Sequence, residues 1–233
     1  AHLSPTAFVA FLQNHDQTGN RALGERLNVL TDADSLAAAE VLLLLSPMIP
    51  LLFMGEEWGA TQPFLFFTEH NESLAQAVRE GRRAEFADFS AFIDEKSRER
   101  IPDPNALTTF EASIPDFAVR EVSPFAACLA RYRTLLALRH QHIVPRLAGA
   151  EALGANVLGD KAVLARWRMK DGTQLVIALN LGQQAADTPG LGVGQLLYET
   201  SDGVAKAAES GRMPARTAAA WLRHNPGDEE VSA

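Results

Sequence analysis

Three apolar stretches near the start of the chain constrain its fold more than any other feature. Residues 7–13, "AFVAFLQ", form a near-continuous apolar run of strand length. Residues 34–46 are helix-length and apolar, and residues 51–54, "LLFM", are apolar again. Short continuous runs of this kind fit strands covered on both faces, as in a parallel sheet. Strand, helix, strand in this order predicts a βαβ unit with a right-handed crossover. Asp34 or Ser35 is the expected N-cap of its helix. The span 36–54, "LAAAEVLLLLSPMIPLLFM", is also long and apolar enough to suggest a membrane helix. Glu40, Pro47 and Pro50 oppose that: a helix ending near Ser46, a proline-marked turn and a buried strand explain the same residues. No membrane association is expected.

Farther along, residues 73–93 have Ala, Arg, Glu and Phe at helical spacing. "ERIPDPNALTTFEASIPDF" carries three prolines and reads as an ordered surface excursion. In "SPFAACLARYRTLLALRHQH" a helix is expected to start with Ser123 as N-cap and Pro124 at its first position. After Pro145 the texture changes to short strands separated by Gly-Asp and Asp-Gly turn signals. Two domains are therefore expected: residues 1–145, and an antiparallel β domain over 146–233. "GLGVG" at 190–194 lacks the strand-to-helix context of a dinucleotide fingerprint and reads as a turn.

Composition excludes several functions. At 47% hydrophobic and 21% charged residues, the 233-residue chain can bury a substantial core. A net charge of −8 with no basic stripe argues against nucleic-acid binding. Cys128 is the single cysteine, so no internal disulfide can form and a cytoplasmic location is expected. "AHLSPTAF" lacks the basic and apolar segments of a signal peptide. The start also lacks an initiator Met, and the expectation is a piece of something longer. His140 and His142, two apart on a helix, point to different faces and do not suit a metal. Neither a metal nor a cofactor is called for.

Chemistry in parallel α/β folds sits where strands end at their carboxyl side. The first apolar stretch ends in Asn14-His15-Asp16-Gln17 and the third in Glu56-Glu57. An Asn-His-Asp turn alone is ordinarily structural. Two polar clusters at neighbouring strand ends can instead face one pocket. A carboxylate accepts hydrogen bonds from adjacent sugar hydroxyls, and an imidazole and amide donate to others. Glu56 and Glu57 have two readings, substrate contact or capping loops and pairing with Arg21 or Arg26. Trp58 is the best candidate for stacking on a sugar ring, ahead of Phe64, Phe66 and Phe67.

"FVAFLQNHDQTGNRALGERL" resembles the fourth conserved region of the α-amylase superfamily, after the seventh strand of its (β/α)8 TIM barrel. "PLLFMGEEWGATQPFLFFTEH" resembles the eighth strand and its loop in one branch, the malto-oligosyltrehalose trehalohydrolases. "GRRAEFADF", "IPDPNALTTFEAS" and "YRTLLALRHQH" look like the same family. The resemblance implies the last two βα units of the barrel over residues 1–145, then a C-terminal antiparallel β-sandwich. It implies a retaining glycosidase that cleaves the α-1,4 bond next to the trehalose unit of maltooligosyl trehalose. Asp16 would be its transition-state stabiliser. Asn14, His15, Gln17, Thr18, Gly19, Asn20 and Arg21, with Glu57 and Trp58, would bind the α-glucan substrate.

The family's nucleophile and general acid/base lie after earlier strands and have no counterpart here. The chain alone is therefore expected to be inactive. Two βα units would leave unpaired edges and an exposed apolar face, so the chain is expected to self-associate through them or to belong to a larger structure. A glucan-branching-type glycosyltransferase and a non-catalytic carbohydrate-binding or assembly module are the alternatives.

Overall fold

A computed structural model describes residues 3–191 and 194–224. The chain divides into two compact units, each built from separate stretches. The first comprises Ala1–Leu12, Thr31–Leu51 and Ala130–Ala233; the second comprises Gln13–Leu30 and Leu52–Leu129. The "GLGVG" reading falls partly on 192–193, outside the described residues.

In the first unit, strands β1 (Val9–Ala10) and β2 (Ile49–Pro50) pair in parallel, Val9 opposite Ile49 and Ala10 opposite Pro50. The parallel pairing expected of the opening stretches is present. The strands are much shorter than expected, however, and the second lies at 49–50 rather than 51–54. Pro50 has no N–H to donate, so the ladder consists of Ile49 N–H to Phe8 O and Leu51 N–H to Ala10 O. Nor are these strands covered on both faces. Val9 is 59% exposed, and Phe8, Phe11, Ile49 and Leu51 are also exposed.

The helix that the sequence places between them spans Ala33–Leu45. Its N-cap is Asp32, not Asp34 or Ser35: Asp32 Oδ1 accepts from the Ser35 N–H at 2.8 Å. That hydrogen bond holds the Asp32 carboxyl below its ordinary range. At the other end the Arg139 guanidinium, itself buried, donates to the carbonyls of Leu44, Ser46 and Met48. Those are the carbonyls a helix end and the following turn leave unpaired. Among the described residues no helix is long and apolar enough to cross a membrane.

Strands β3 (Glu151–Gly159), β4 (Ala162–Arg168), β5 (Gln174–Asn180), β7 (Gln195–Glu199) and β9 (Thr217–Arg223) form an antiparallel sheet in the order β3-β4-β5-β9-β7. The turn signals mark its hairpins: Gly159 and Asp160 precede β4, and Gly172, at φ +84°, lies between β4 and β5. A β-sandwich is not complete among the described residues. The sheet's companions are a two-stranded ladder of β6 (Ala186–Asp187) with β8 (Arg212–Met213), and the short helix Val204–Glu209.

Alternation explains how both faces of the sheet are used. Val176 and Ala178 of β5 join Ala219 and Trp221 of β9, together with Val204, Ala208 and Met213, in one core. The opposite set, Leu175, Ile177, Ala218 and Ala220, is also buried. The Ala33–Leu45 helix packs against β9 and β5. The alanines of "TAAAW" keep β9 low enough for a helix to lie close.

The second unit has no strand among its described residues. In chain order its helices are α1 (His15–Gly19), α2 (Leu27–Leu30), then Glu72–Glu85, Glu95–Arg98 and Leu107–Ala112. With the helices already given, these are numbered α1, α2, α3 (Ala33–Leu45), α4 (Glu72–Glu85), α5 (Glu95–Arg98), α6 (Leu107–Ala112), α7 (Phe125–Leu138) and α8 (Val204–Glu209). The expected helix over 73–93 stops at Glu85, because Phe86 and Phe92 turn inward onto Ile101. Helix α7 starts at Phe125 rather than Pro124, its first turn closed by the Ala126 N–H to the Val122 carbonyl.

Candidate active site

The Asn-His-Asp-Gln cluster is built by one short helix in the second unit. Gln13 is buried, and its Oε1 accepts from the Leu27 N–H at 3.0 Å, which anchors the approach. Asn14 is extended, and its Oδ1 accepts from the Gln17 N–H at 2.8 Å, capping α1. The four polar residues are thus one cap and one helical turn. His15 and Asp16 project outward, their side chains 70% and 73% exposed, with His15 Nε2 3.4 Å from Asp16 Oδ1. Gln17 and Asn20 are exposed as well, whereas Thr18 and Gly19 are buried. Gly19 lies against the Phe64 ring, so a side chain there would meet it.

A five-residue helix cannot satisfy its own end. Arg82 of α4 does it instead, donating to the carbonyls of Gly19, Asn20 and Arg21 at 3.2–3.4 Å. Its guanidinium lies over the Phe66 and Phe86 rings, 4.8 and 4.9 Å from their centroids, and bonds Glu85 at 3.0 Å. Sequence reading missed Arg82. The signal was present: Ala75, Val78, Arg82 and Phe86 recur at helical spacing, so Arg82 occupies a position on the apolar stripe. Just beyond, Gly24 takes φ +60° and its backbone is so close to Phe64 that a Cβ would lie 2.5 Å from the Phe64 carbonyl oxygen.

The "GEEWGA" loop is a single 3-10 turn, Glu56–Trp58, set between Gly55 and Gly59, both at positive φ. Glu57 Oε2 accepts from the Gly55 N–H at 2.9 Å, so this carboxylate caps its own loop. Glu56 is buried. Arg26, 1% exposed, donates to the Gln62 and Met54 carbonyls at 2.6 and 2.8 Å. Burial lowers the Arg26 pKa, and the charges of Glu56 and Glu57 oppose that shift. Of the two readings of this acidic pair, loop capping and electrostatic support of Arg26 match these contacts. Trp58 is a correction. It is 2% exposed with its ring 5.1 Å from that of Phe117, which leaves no open face for a sugar. Arg21 stays at the surface, its Nε donating to Glu25 at 3.1 Å.

The arrangement presents an exposed carboxylate beside an imidazole on a braced helical turn, with amide and guanidinium groups following it. Such a set can accept from and donate to a polyol.

Comparison with proteins of known name places the chain among relatives. Over 179 residues the chain is 44% identical to a malto-oligosyltrehalose trehalohydrolase of Deinococcus radiodurans, covering 76% of this chain and 28% of that protein. Over 218 residues it is 38% identical to the one from Rhizobium sp. (strain M-11), covering 92% of this chain and 35% of that protein. The chain is thus related to part of the malto-oligosyltrehalose trehalohydrolases. It spans about a third of the length of these relatives. A crystal structure from Salmonella typhimurium assigned as an alpha amylase superposes with a TM-score of 0.81 at 39% identity, over 95% of this chain and 36% of that one. Isomaltulose synthase from Klebsiella sp. LX3, at 15% identity and a TM-score of 0.56 over 92% of this chain and 43% of that one, shares the fold alone. Residues 150–221, the five-stranded sheet and what lies between its strands, match a family model described as a domain of unknown function (DUF3459).

Proposed function

We propose that this trehalohydrolase-related chain supplies the third carboxylate, Asp16, and part of the glucan-binding surface of a retaining glycoside hydrolase. The enzyme would release trehalose from maltooligosyl trehalose by cleaving the adjacent α-1,4 bond. Residues 1–145 would complete its barrel with the last two βα units, and 146–233 would form its C-terminal β-sandwich domain. The observation that carries the reading is Asp16 itself. It is a carboxylate left open to solvent on a helix that Asn14 and Arg82 brace from either end, in a chain 44% identical over 179 residues to a trehalohydrolase.

In this mechanism Asp16 accepts hydrogen bonds from the 2- and 3-hydroxyls of the glucose under attack. Those bonds strengthen as the ring flattens and becomes positive, so they favour the transition state over the ground state. His15 donates to a neighbouring hydroxyl. The nucleophile and the acid/base come from parts of the enzyme that this chain does not contain, and the 233 residues alone are inactive. By themselves they self-associate through Phe8, Val9, Ile49 and Leu51, apolar side chains on the open two-strand ladder. The reading carries with it a cytoplasmic enzyme needing neither metal nor cofactor.

The test is Asp16→Asn in the longer enzyme. Turnover on maltooligosyl trehalose should fall by about three orders of magnitude or more, with KM changed by no more than about threefold. Thermal stability should be unchanged, since the Asp16 side chain is open to solvent. Equal losses in turnover and affinity would sink the stabiliser role. Transfer of glucosyl chains in place of trehalose release would identify a branching-type transferase.

A further inference from the structure

Beside α1 the second unit holds an open groove of about 500 Å³, a size typical of small-ligand clefts. One wall is the side of α1 and its continuation, with Gln17, Asn20 and Arg21; the other presents Phe89, Ser90 and Arg100. We infer that this groove is a subsite for a further glucosyl unit of an α-glucan, with Phe89 as its stacking platform. The inference rests on the functional reading above and extends it to residues 86–100.

Position is the first argument. Gln17 follows Asp16 directly and lies on α1, and Asn20 and Arg21 line the groove just past the end of that helix. The groove therefore starts one residue from the proposed stabiliser and runs away from it along α1. Chemistry is the second. Phe86 is buried and anchors a core with Phe92 and Ile101, while its neighbour Phe89, ring centroids 5.4 Å apart, is 57% exposed. An exposed phenyl ring on the wall of a groove that Ala22, Leu23 and Ala91 also line matches the apolar C–H face of a pyranose. Around it stand both donors and acceptors: two guanidinium groups, two amides, a hydroxyl and the Glu25 carboxylate. Glu25 accepts from Arg21 Nε at 3.1 Å and offsets one of the two cations, and the amides and hydroxyl supply the mixed donors and acceptors a polyol uses. Preorganisation is the third. Arg82 bonds the Gly19, Asn20 and Arg21 carbonyls and lies over Phe86, so both walls are fixed to one guanidinium before any ligand arrives.

The experiment titrates the longer enzyme with maltotriose and with maltoheptaose by calorimetry, alongside its Phe89→Ala and Phe89→Trp variants. Phe89→Ala should weaken maltoheptaose binding about tenfold and maltotriose binding less than twofold. Phe89→Trp should restore the longer glucan, which a mere folding defect would not allow. Wild-type affinity of Phe89→Ala for maltoheptaose, or no saturable binding of maltoheptaose by the unaltered enzyme, overturns the groove. The two readings fail separately. If Phe89→Ala loses the long glucan while the Asp16→Asn enzyme keeps its turnover, the groove stands and the stabiliser role falls. If turnover collapses in Asp16→Asn and Phe89→Ala binds normally, only the groove falls.

Discussion

Strand β5 and helix α1 solve one problem, where to place backbone N–H and C=O groups, by different means. β5 is hydrogen-bonded along its length to β4 on one side and β9 on the other, and Leu175, Val176, Ile177 and Ala178 are each 0% exposed. The sheet satisfies its own backbone, so its side chains are left to pack. α1 has five residues and belongs to the unit without a strand among its described residues. Its ends are closed by side chains, Asn14 at one and Arg82 at the other, and carbonyls of the 54–62 loop are held by Arg26. The lesson is that the unit without a ladder depends on buried cations, and that those cations leave its outward carboxylate and imidazole uncommitted. In the sheet-bearing unit Arg139 uses the same device to close the end of α3.

The comparison breaks most readily at Arg26. Arg26→Met keeps most of the volume but strands the Gln62 and Met54 carbonyls, and should cost about 3 kcal/mol. Hydrogen exchange should show amides in 13–30 and 52–129 exchanging roughly a hundredfold faster, with the 174–180 and 217–223 strands little changed. Equal acceleration in both would mean that the two regions do not differ as described. The converse change is Ala220→Leu in β9, on the fully buried face opposite Trp221. Overpacking there should cost about 1–3 kcal/mol and be read as a lower urea midpoint with faster exchange in β5 and β9.

The smallest expected effect is electrostatic and has opposite signs in the two regions. In the short-helix unit Asp103 is held below its usual range by the Arg79 hydrogen bond, 2.7 Å from Nε. A depressed carboxyl gives stability that is present above about pH 4 and lost as pH falls through the native value. Asp103→Asn should flatten that acid limb in urea midpoints measured from pH 2 to 5. In the sheet-bearing unit burial pushes the Glu40 carboxyl up, although Arg131 bonds it at 2.6 Å. Its contribution is full below the ordinary Glu range and is lost as pH rises through the raised value. Glu40→Gln should therefore flatten a slope of the other sign.

Much of the fold was legible because it is local. The apolar run before Ser46 makes α3 within a residue of the expected span, and Gly159-Asp160 and Asp171-Gly172 turn the hairpins. Parallel pairing of the first two strands followed from their order, and the Asn-His-Asp-Gln run was recognisable as a turn that crowds polar groups outward. What lay beyond reach depends on partners distant in the chain. Trp58 and Phe89 are both aromatic residues in polar surroundings, yet Phe117 covers the first and a groove opens beside the second. The apolar stripe places Arg82 on the inner face of α4, but its partner, the carbonyl of Gly19 63 positions away, is fixed only by packing. Sequence sets periodicity, caps and turns, since these are contests between neighbours within a few residues. Which carbonyl meets which guanidinium, and which ring keeps a free face, is decided only when remote segments pack.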